Sequence, residues 1–116
     1  MGLKRLKITA FALAWCLGPA SIALAEMQTY RITVKDHRFS PEELVIPAGQ
    51  KVKIVVENLD PAPEEFESYD LKREKVITAN GQIVLFIGPL KAGSYKYFGD
   101  FHPTTAQGRI VAKEND

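Results

Sequence analysis

The chain has 116 residues, of which 46% are hydrophobic and 25% charged, and its formal net charge at pH 7 is +1. This length predicts one small domain and excludes a chain of several domains. The near-balanced charge, with no cluster of Lys and Arg beyond the first residues, argues against nucleic-acid binding.

The N-terminal segment has the pattern of a secretory signal peptide. Three basic residues precede an apolar run over residues 8–17, and residues 23–25 read Ala-Leu-Ala, as a cleavage site does. We predict that residues 1–25 are removed, that residues 26–116 form the mature domain, and that this domain is periplasmic; an uncleaved anchor is the alternative. Cleavage removes three basic residues and no acidic one, so the formal net charge changes from +1 to −2.

Cys16 is the only cysteine of the sequence and lies within the predicted signal peptide. The mature domain therefore has no disulfide. Small secreted domains are often stabilised by disulfides or a metal. A bound metal or a partner protein therefore becomes a more attractive source of stability, although many β domains of this size need neither.

The mature sequence alternates apolar and polar residues with a period of two, which predicts strands rather than helices. Residues 82–87 are almost all apolar and are predicted to form a central strand. Residues 58–70 are acidic and contain Pro61 and Pro63, which predicts a loop. About seven short strands separated by turns predict an all-β, Greek-key antiparallel sandwich; they cover residues 30–34, 43–46, 51–57, 74–77, 82–87, 95–98 and 108–113.

Four segments together resemble the cupredoxin fold over almost all of the mature chain; they are residues 39–49, 55–58, 90–98 and 108–111. The acidic loop, together with Gly-Asp-Phe-His-Pro at residues 99–103, is similar to the periplasmic cupredoxin-like proteins of bacterial high-affinity ferrous-iron uptake. This resemblance implies that the protein binds copper, iron or both. It also implies that the protein assists oxidation of ferrous iron and passes ferric iron to a membrane iron permease and other components of the uptake system.

The sequence departs from the blue-copper pattern of that family at two positions. In alignment with the pattern, Glu64 stands at the first His and Gly99 at the Cys, while His102 keeps the second His. Gln107 lies near the position that the axial copper ligand has in that pattern. Without the thiolate, a trigonal site of two His and one Cys cannot form, so we do not expect type 1 electron transfer.

The remaining donors are carboxylates and imidazoles, which suit iron and cupric copper better than cuprous copper. We predict that they converge on one rim of the sandwich and bind copper and/or iron. Strand alternation places Glu65 and Glu67 on one side and Glu64 on the other, but a bend near Pro63 would change this, so the ligating glutamate stays open. The candidate metal ligands are Glu64, Glu65, Glu67, Asp100, His102 and His37.

Each candidate also has a simpler interpretation. An acidic run is usually a solvated face, Asp100 is a typical turn residue, and His37 lies in a polar turn. The four phenylalanines Phe66, Phe86, Phe98 and Phe101 are expected in the core.

Two other functions remain open. One is a metal-free β-sandwich module whose acidic loop recognises a basic partner. The other is a periplasmic copper chaperone, although such proteins usually carry clusters of Met and His. No hydrolytic motif is present. Whether the protein is a ferroxidase component or a carrier, and whether a homodimer completes the site, also stay open.

Overall fold

The structure is a computed structural model that describes residues 27–115. The predicted signal peptide lies outside these residues, so its cleavage stays a prediction. Within residues 27–115, no helix is long and apolar enough to cross a membrane. The described chain folds into nine strands, namely β1 (Thr29–Lys35), β2 (Arg38–Ser40), β3 (Glu43–Pro47), β4 (Val52–Asn58), β5 (Glu64–Ser68), β6 (Arg73–Ile77), β7 (Gln82–Ile87), β8 (Gly93–Gly99) and β9 (Gln107–Lys113).

The strands form two sheets, a four-stranded sheet in the order β2-β1-β4-β7 and a five-stranded sheet in the order β3-β9-β8-β5-β6. The prediction of an all-β, cupredoxin-like sandwich is confirmed. Two of its details need correction. Nine strands form instead of about seven, and the sheets are mixed, because β1 pairs with β4 and β3 with β9 in parallel.

The apolar alternation of the sequence directs one face of each sheet into a shared core. In β1, for example, Ile32 and Val34 are fully buried while their neighbours are not. Burying each such side chain contributes about 1.5–3 kcal/mol relative to leaving it exposed. Aromatic rings join the two sheets: Phe39 of β2 packs edge-on against Phe66 of β5 and Tyr97 of β8, with centroids 6.2 and 5.0 Å away.

The apolar strand β7 lies at an edge of its sheet, which corrects the prediction of a central strand. The unpaired edge of β7 faces strand β6 of the other sheet. There the guanidinium of Arg73 in β6 donates a hydrogen bond to the carbonyl of Phe86 in β7 at 2.9 Å. This contact caps part of an edge that would otherwise be free. Phe86 and Phe101 are about half exposed, and Phe98 is partly exposed and lies outside the core cluster. The prediction that the four phenylalanines lie in the core is therefore confirmed for Phe66 alone.

The predicted acidic loop contains a strand. Both prolines precede β5, so they interrupt pairing only up to position 63, and Glu64–Ser68 then pairs with β6 and β8. The fully buried Asn58 organises the connection from β4: its Nδ2 donates to the carbonyl of Ala62 at 2.8 Å, and its Oδ1 accepts the N–H of Asp60 at 3.0 Å. Asn58 thereby sets the position at which β5 begins.

Candidate metal centre

The six candidate ligands divide into two clusters of three rather than forming one site. The first cluster, here called the imidazole cluster, comprises His37, Glu64 and His102. The second, called the acidic cluster, comprises Glu65, Glu67 and Asp100. In each cluster every residue offers a ligand atom within 4.8 Å of the others.

Strand alternation in β5 causes this division. Glu64, Phe66 and Ser68 point inward and are buried, whereas Glu65 and Glu67 lie on the outer face and are partly exposed. The bend near Pro63 does not change the alternation. The uncertainty about which glutamate faces which side is therefore resolved: Glu64 joins the histidines, and the other two join Asp100.

Glu64 is 1% exposed, and both oxygens of its carboxylate take part in hydrogen bonds. Oε1 accepts the backbone N–H of Glu65 at 3.0 Å and that of Phe101 at 2.9 Å, and Oε2 lies 2.7 Å from Nδ1 of His102. A buried carboxylate needs such partners, because an unpaired buried charge is costly. Glu64 thus links the start of β5 to the loop between β8 and β9.

The small size of Gly99 makes room for Glu64. A Cβ atom at position 99 would lie 2.6 Å from Cδ of Glu64 and 2.7 Å from Cβ of Ala106. The Glu64 carboxylate therefore occupies the space that a side chain at position 99 would need. Glycine at position 99 and glutamate at position 64 are therefore compatible with each other in this packing arrangement.

His102 lies in a short loop that is closed by its own backbone. The N–H of Gly99 donates to the carbonyl of Ala106 at 2.8 Å, and the N–H of Ala106 donates to the carbonyl of His102 at 2.9 Å. The imidazole is about one-third exposed and stacks on that of His37, with ring centroids 3.5 Å apart and an interplanar angle of 12°. The loop therefore presents the ring between Glu64 and the turn that carries His37.

His37 lies in the two-residue turn between β1 and β2, where Lys35 pairs with Arg38. Asp36 and His37 have φ values of 52° and 58°, as the type I′ hairpin turn requires. Neither residue is a glycine, so the conformation needs support. The Asp60 carboxylate provides it by accepting the N–H of Asp36 at 2.7 Å and that of His37 at 3.0 Å.

The sequence analysis did not identify Asp60 as a functional residue. Its side chain is 8% exposed, and its Oδ2 lies 3.5 Å from Nδ1 of His37. Burial raises the pKa of Asp60, but the hydrogen bonds from the backbone of His37 and Asp36 and the nearby imidazoles together lower it more, so the net pKa is below its ordinary value. The short Asn58-Leu-Asp60-Pro stretch after a strand was the available signal, since Asn and Asp there bond to nearby backbone groups.

The acidic cluster lies on the outer face of the five-stranded sheet. Glu67 pairs directly with Glu74 across β5 and β6, an arrangement of like charges that destabilises a sheet. Desolvation, the charge of Glu74 and the charge of Asp100 raise the pKa of both Glu65 and Glu67. The cluster thus carries electrostatic repulsion that a bound cation or a basic partner would relieve.

A raised carboxyl pKa means that the folded state binds protons more readily than the unfolded state, so stability falls as pH rises through that window. We expect Glu67→Gln to raise the thermal unfolding midpoint at pH 7, and the difference from the unsubstituted protein to shrink towards about pH 4, where carboxyls protonate. Circular dichroism melts at several pH values measure this. Glu114→Gln, an exposed carboxylate outside both clusters, is the control. A pH-independent difference would contradict the expectation.

The donor sets fit some metals and not others. The imidazole cluster offers two nitrogens and a carboxylate, a set that suits a cupric ion, whereas no thiolate is available at position 99 for a type 1 site. The two rings are stacked nearly parallel, so the lone pairs of their nitrogens lie in nearly parallel planes. For both rings to bind one ion, the rings must therefore move apart. The acidic cluster offers only carboxylate oxygens, which suit hard cations.

Comparison with known proteins gives a family and a fold. The sequence pattern of the cupredoxin-like domain matches residues 6–112. The uncharacterized protein RP394 of Rickettsia prowazekii (strain Madrid E) is 44% identical over 84 residues, which cover 72% of this chain and 67% of that protein.

Solved structures with the same fold include copper proteins. Auracyanin A, a "blue" copper protein from Chloroflexus aurantiacus, is 17% identical with a TM-score of 0.64, covering 76% of this chain and 100% of that chain. Amicyanin from Paracoccus versutus is 18% identical with a TM-score of 0.60, covering 78% and 87%. The metal-binding domain of the Cu(I)-exporting P-type ATPase CopA of Streptococcus pneumoniae D39 is 16% identical with a TM-score of 0.64, covering 76% and 87%. At these identities the likeness concerns the fold.

Proposed function

The chain belongs to the cupredoxin-like domain family, and on that basis we propose that it is a periplasmic copper- and iron-binding protein of an iron-uptake system. One observation carries the proposal: His37, Glu64 and His102, from three separate parts of the chain, bring ligand atoms within 4.8 Å of one another. The solved structures of the same fold that are described as copper proteins support copper as the resident metal.

Copper is assigned to the imidazole cluster because imidazole nitrogen is a good ligand for cupric ion. When bound, a cupric ion supplies a one-electron acceptor. The protein residues contribute position and charge: Glu64 places a negative carboxylate beside His102, and the loop between β8 and β9 keeps the ring about one-third exposed. Negative charge beside the metal favours the more highly charged oxidation state.

Iron, as the transported substrate, is assigned to the acidic cluster. Its three carboxylates lie together. Desolvation, then the charges of Glu74 and Asp100, raise the pKa of both Glu65 and Glu67. A hard cation relieves that repulsion. The two clusters are linked through the backbone, since Glu64 and Glu65 are adjacent and the N–H of Asp100 donates to the carbonyl of Glu65 at 2.9 Å. Transfer to a membrane permease is part of the proposal.

Calorimetric titration of the purified chain with cupric and ferric ions tests this function. We expect one cupric event that His102→Ala abolishes and one ferric event that Glu67→Ala weakens, because each substitution removes a donor from only one cluster. Glu114→Ala, which removes an exposed carboxylate outside both clusters, should leave both events unchanged. Heat signals no larger than buffer background for both ions would overturn the proposal.

A second candidate function is a metal-free binding module with a basic partner. The specific observation in its favour is that both oxygens of the Glu64 carboxylate already have hydrogen-bond partners within the protein, so this buried charge is compensated without a metal. Thermal melts separate the two functions, because a ligand specific to the native state raises the unfolding midpoint. A midpoint that is insensitive to cupric and ferric ions favours the module.

A further inference from the structure

Two stacked imidazoles lie between two buried carboxylates. Nδ1 of His102 is 2.7 Å from Oε2 of Glu64, and Nδ1 of His37 is 3.5 Å from Oδ2 of Asp60. The first contact is a short hydrogen bond, and the second is longer than a hydrogen bond. In both pairs, the same ring nitrogen faces the carboxylate.

Each carboxylate is held by backbone groups that do not depend on the ring. Glu64 is held by the N–H groups of Glu65 and Phe101. Asp60 is held by the N–H groups of the β1–β2 turn, and its own N–H is bound by Asn58. Because the carboxylates are anchored independently, the imidazoles adapt to the carboxylates.

An ionised carboxylate only accepts hydrogen bonds, so a ring nitrogen facing it must carry the hydrogen. The tautomer of a histidine is set in this way by the bond that one nitrogen makes, and the other nitrogen is then free to bind a metal. We propose that Glu64 and Asp60 are positioning residues that hold His102 and His37 with hydrogen on Nδ1, so that a cation binds through the Nε2 atoms.

This inference rests on the proposed function, since it assumes that the imidazole cluster binds a cation. It assigns Glu64 to the support of His102 rather than to the metal itself. It also identifies the ring that moves. The contact of His37 with its carboxylate is longer, and its side chain is 44% exposed against 30% for His102. His37 therefore turns out of the stack when both rings bind one ion.

Nitrogen-15 NMR of the metal-free chain tests the tautomers directly, because His37 and His102 are its only histidines. Above the pH range in which imidazole titrates, long-range proton–nitrogen spectra should show both rings with hydrogen on Nδ1. Zinc ion is then added as a diamagnetic probe, and the Nε2 resonances should shift. A ring with hydrogen on Nε2, or a zinc-dependent shift on Nδ1, overturns the inference.

Two variants remove the proposed support without removing a ring. In Glu64→Gln the amide retains an oxygen for the backbone N–H groups, but its NH₂ faces Nδ1 of His102, so hydrogen should move to Nε2. Asp60→Asn should do the same to His37. For such supporting residues, zinc affinity should fall by about 10- to 100-fold.

Asp60 also supports the turn, so its two roles must be separated. Asp36→Gly supplies a residue that adopts positive φ without strain and should restore the turn in an Asp60→Asn background. If Asp60 acts only on the turn, D36G/D60N regains the tautomer and zinc affinity of D36G. If Asp60 positions the ring, both remain altered.

The inference and the proposed function can fail separately. Zinc bound through Nδ1 overturns the inference and leaves the proposed function standing. The expected tautomers without any zinc-dependent shift overturn the Nε2 assignment, and calorimetry with cupric ion then decides the proposed function.

Discussion

Glu64→Ala should lower the free energy of unfolding by about 2–5 kcal/mol, because it leaves two part-buried N–H groups unsatisfied and opens a cavity. Since small domains are stable by only about 5–15 kcal/mol, this is a large fraction of the total. Chemical denaturation followed by circular dichroism measures the change. The expected loss comes from the folded structure and does not require a metal.

Glu65→Ala is the matched control for this substitution. It removes the same side chain one residue later, on the outer face of β5, where desolvation and repulsion from Glu74 and Asp100 already raise the carboxyl pKa. Its effect should be small. Equal losses for the two alanine variants would show that the buried hydrogen bonds of Glu64 do not contribute as the structure implies.

Gly99→Cys should destabilise the protein by about 1–3 kcal/mol through overpacking, and it should not create an intensely blue copper site. The new Cβ would lie 2.6 Å from Cδ of Glu64 and 2.7 Å from Cβ of Ala106, and both neighbours are buried. Denaturation measures the stability, and the visible spectrum with cupric ion measures the site. An intense thiolate band in a stably folded variant would contradict this account.

Two further variants identify the cause. Ser94→Cys places a thiol at an exposed position of the same strand, β8, and should leave stability unchanged. Combining Gly99→Cys with Glu64→Ala removes one of the two clashes, so the double variant should lose less stability than the sum of the single variants. Strict additivity would mean that Glu64 does not occupy the space beside position 99.

The fold class could be predicted because period-two alternation is a local property, visible in segments such as Tyr30 to Val34. Which strands lie next to each other in the sheets could not be predicted in this way. Residues 82–87 are apolar enough for a central strand, yet β7 lies at an edge beside β6. Strand β5 was not predicted because Pro63 directly precedes it. A proline excludes pairing at its own position, but it does not exclude a strand that begins at the next residue.

The candidate site was predictable in its donors and not in its grouping. Alternation correctly separated Glu64 from Glu65 and Glu67. The prediction that all six candidate ligands meet at one rim was wrong, because they form two clusters on opposite sides of β5. Asp60 was missed because its role is to bind the backbone of a turn 23 and 24 residues earlier.

The sequence by itself determined the sandwich class and the chemical type of the donors, because alternation and side-chain chemistry are properties of neighbouring residues. Only the tertiary structure decided which donors meet and which are already satisfied. The hydrogen bond from the N–H of Phe101 to Glu64 joins residues 37 apart, and the stacking of His37 on His102 joins the two sheets. Such contacts depend on how strands pack, and alternation specifies the face of a strand without specifying its neighbour.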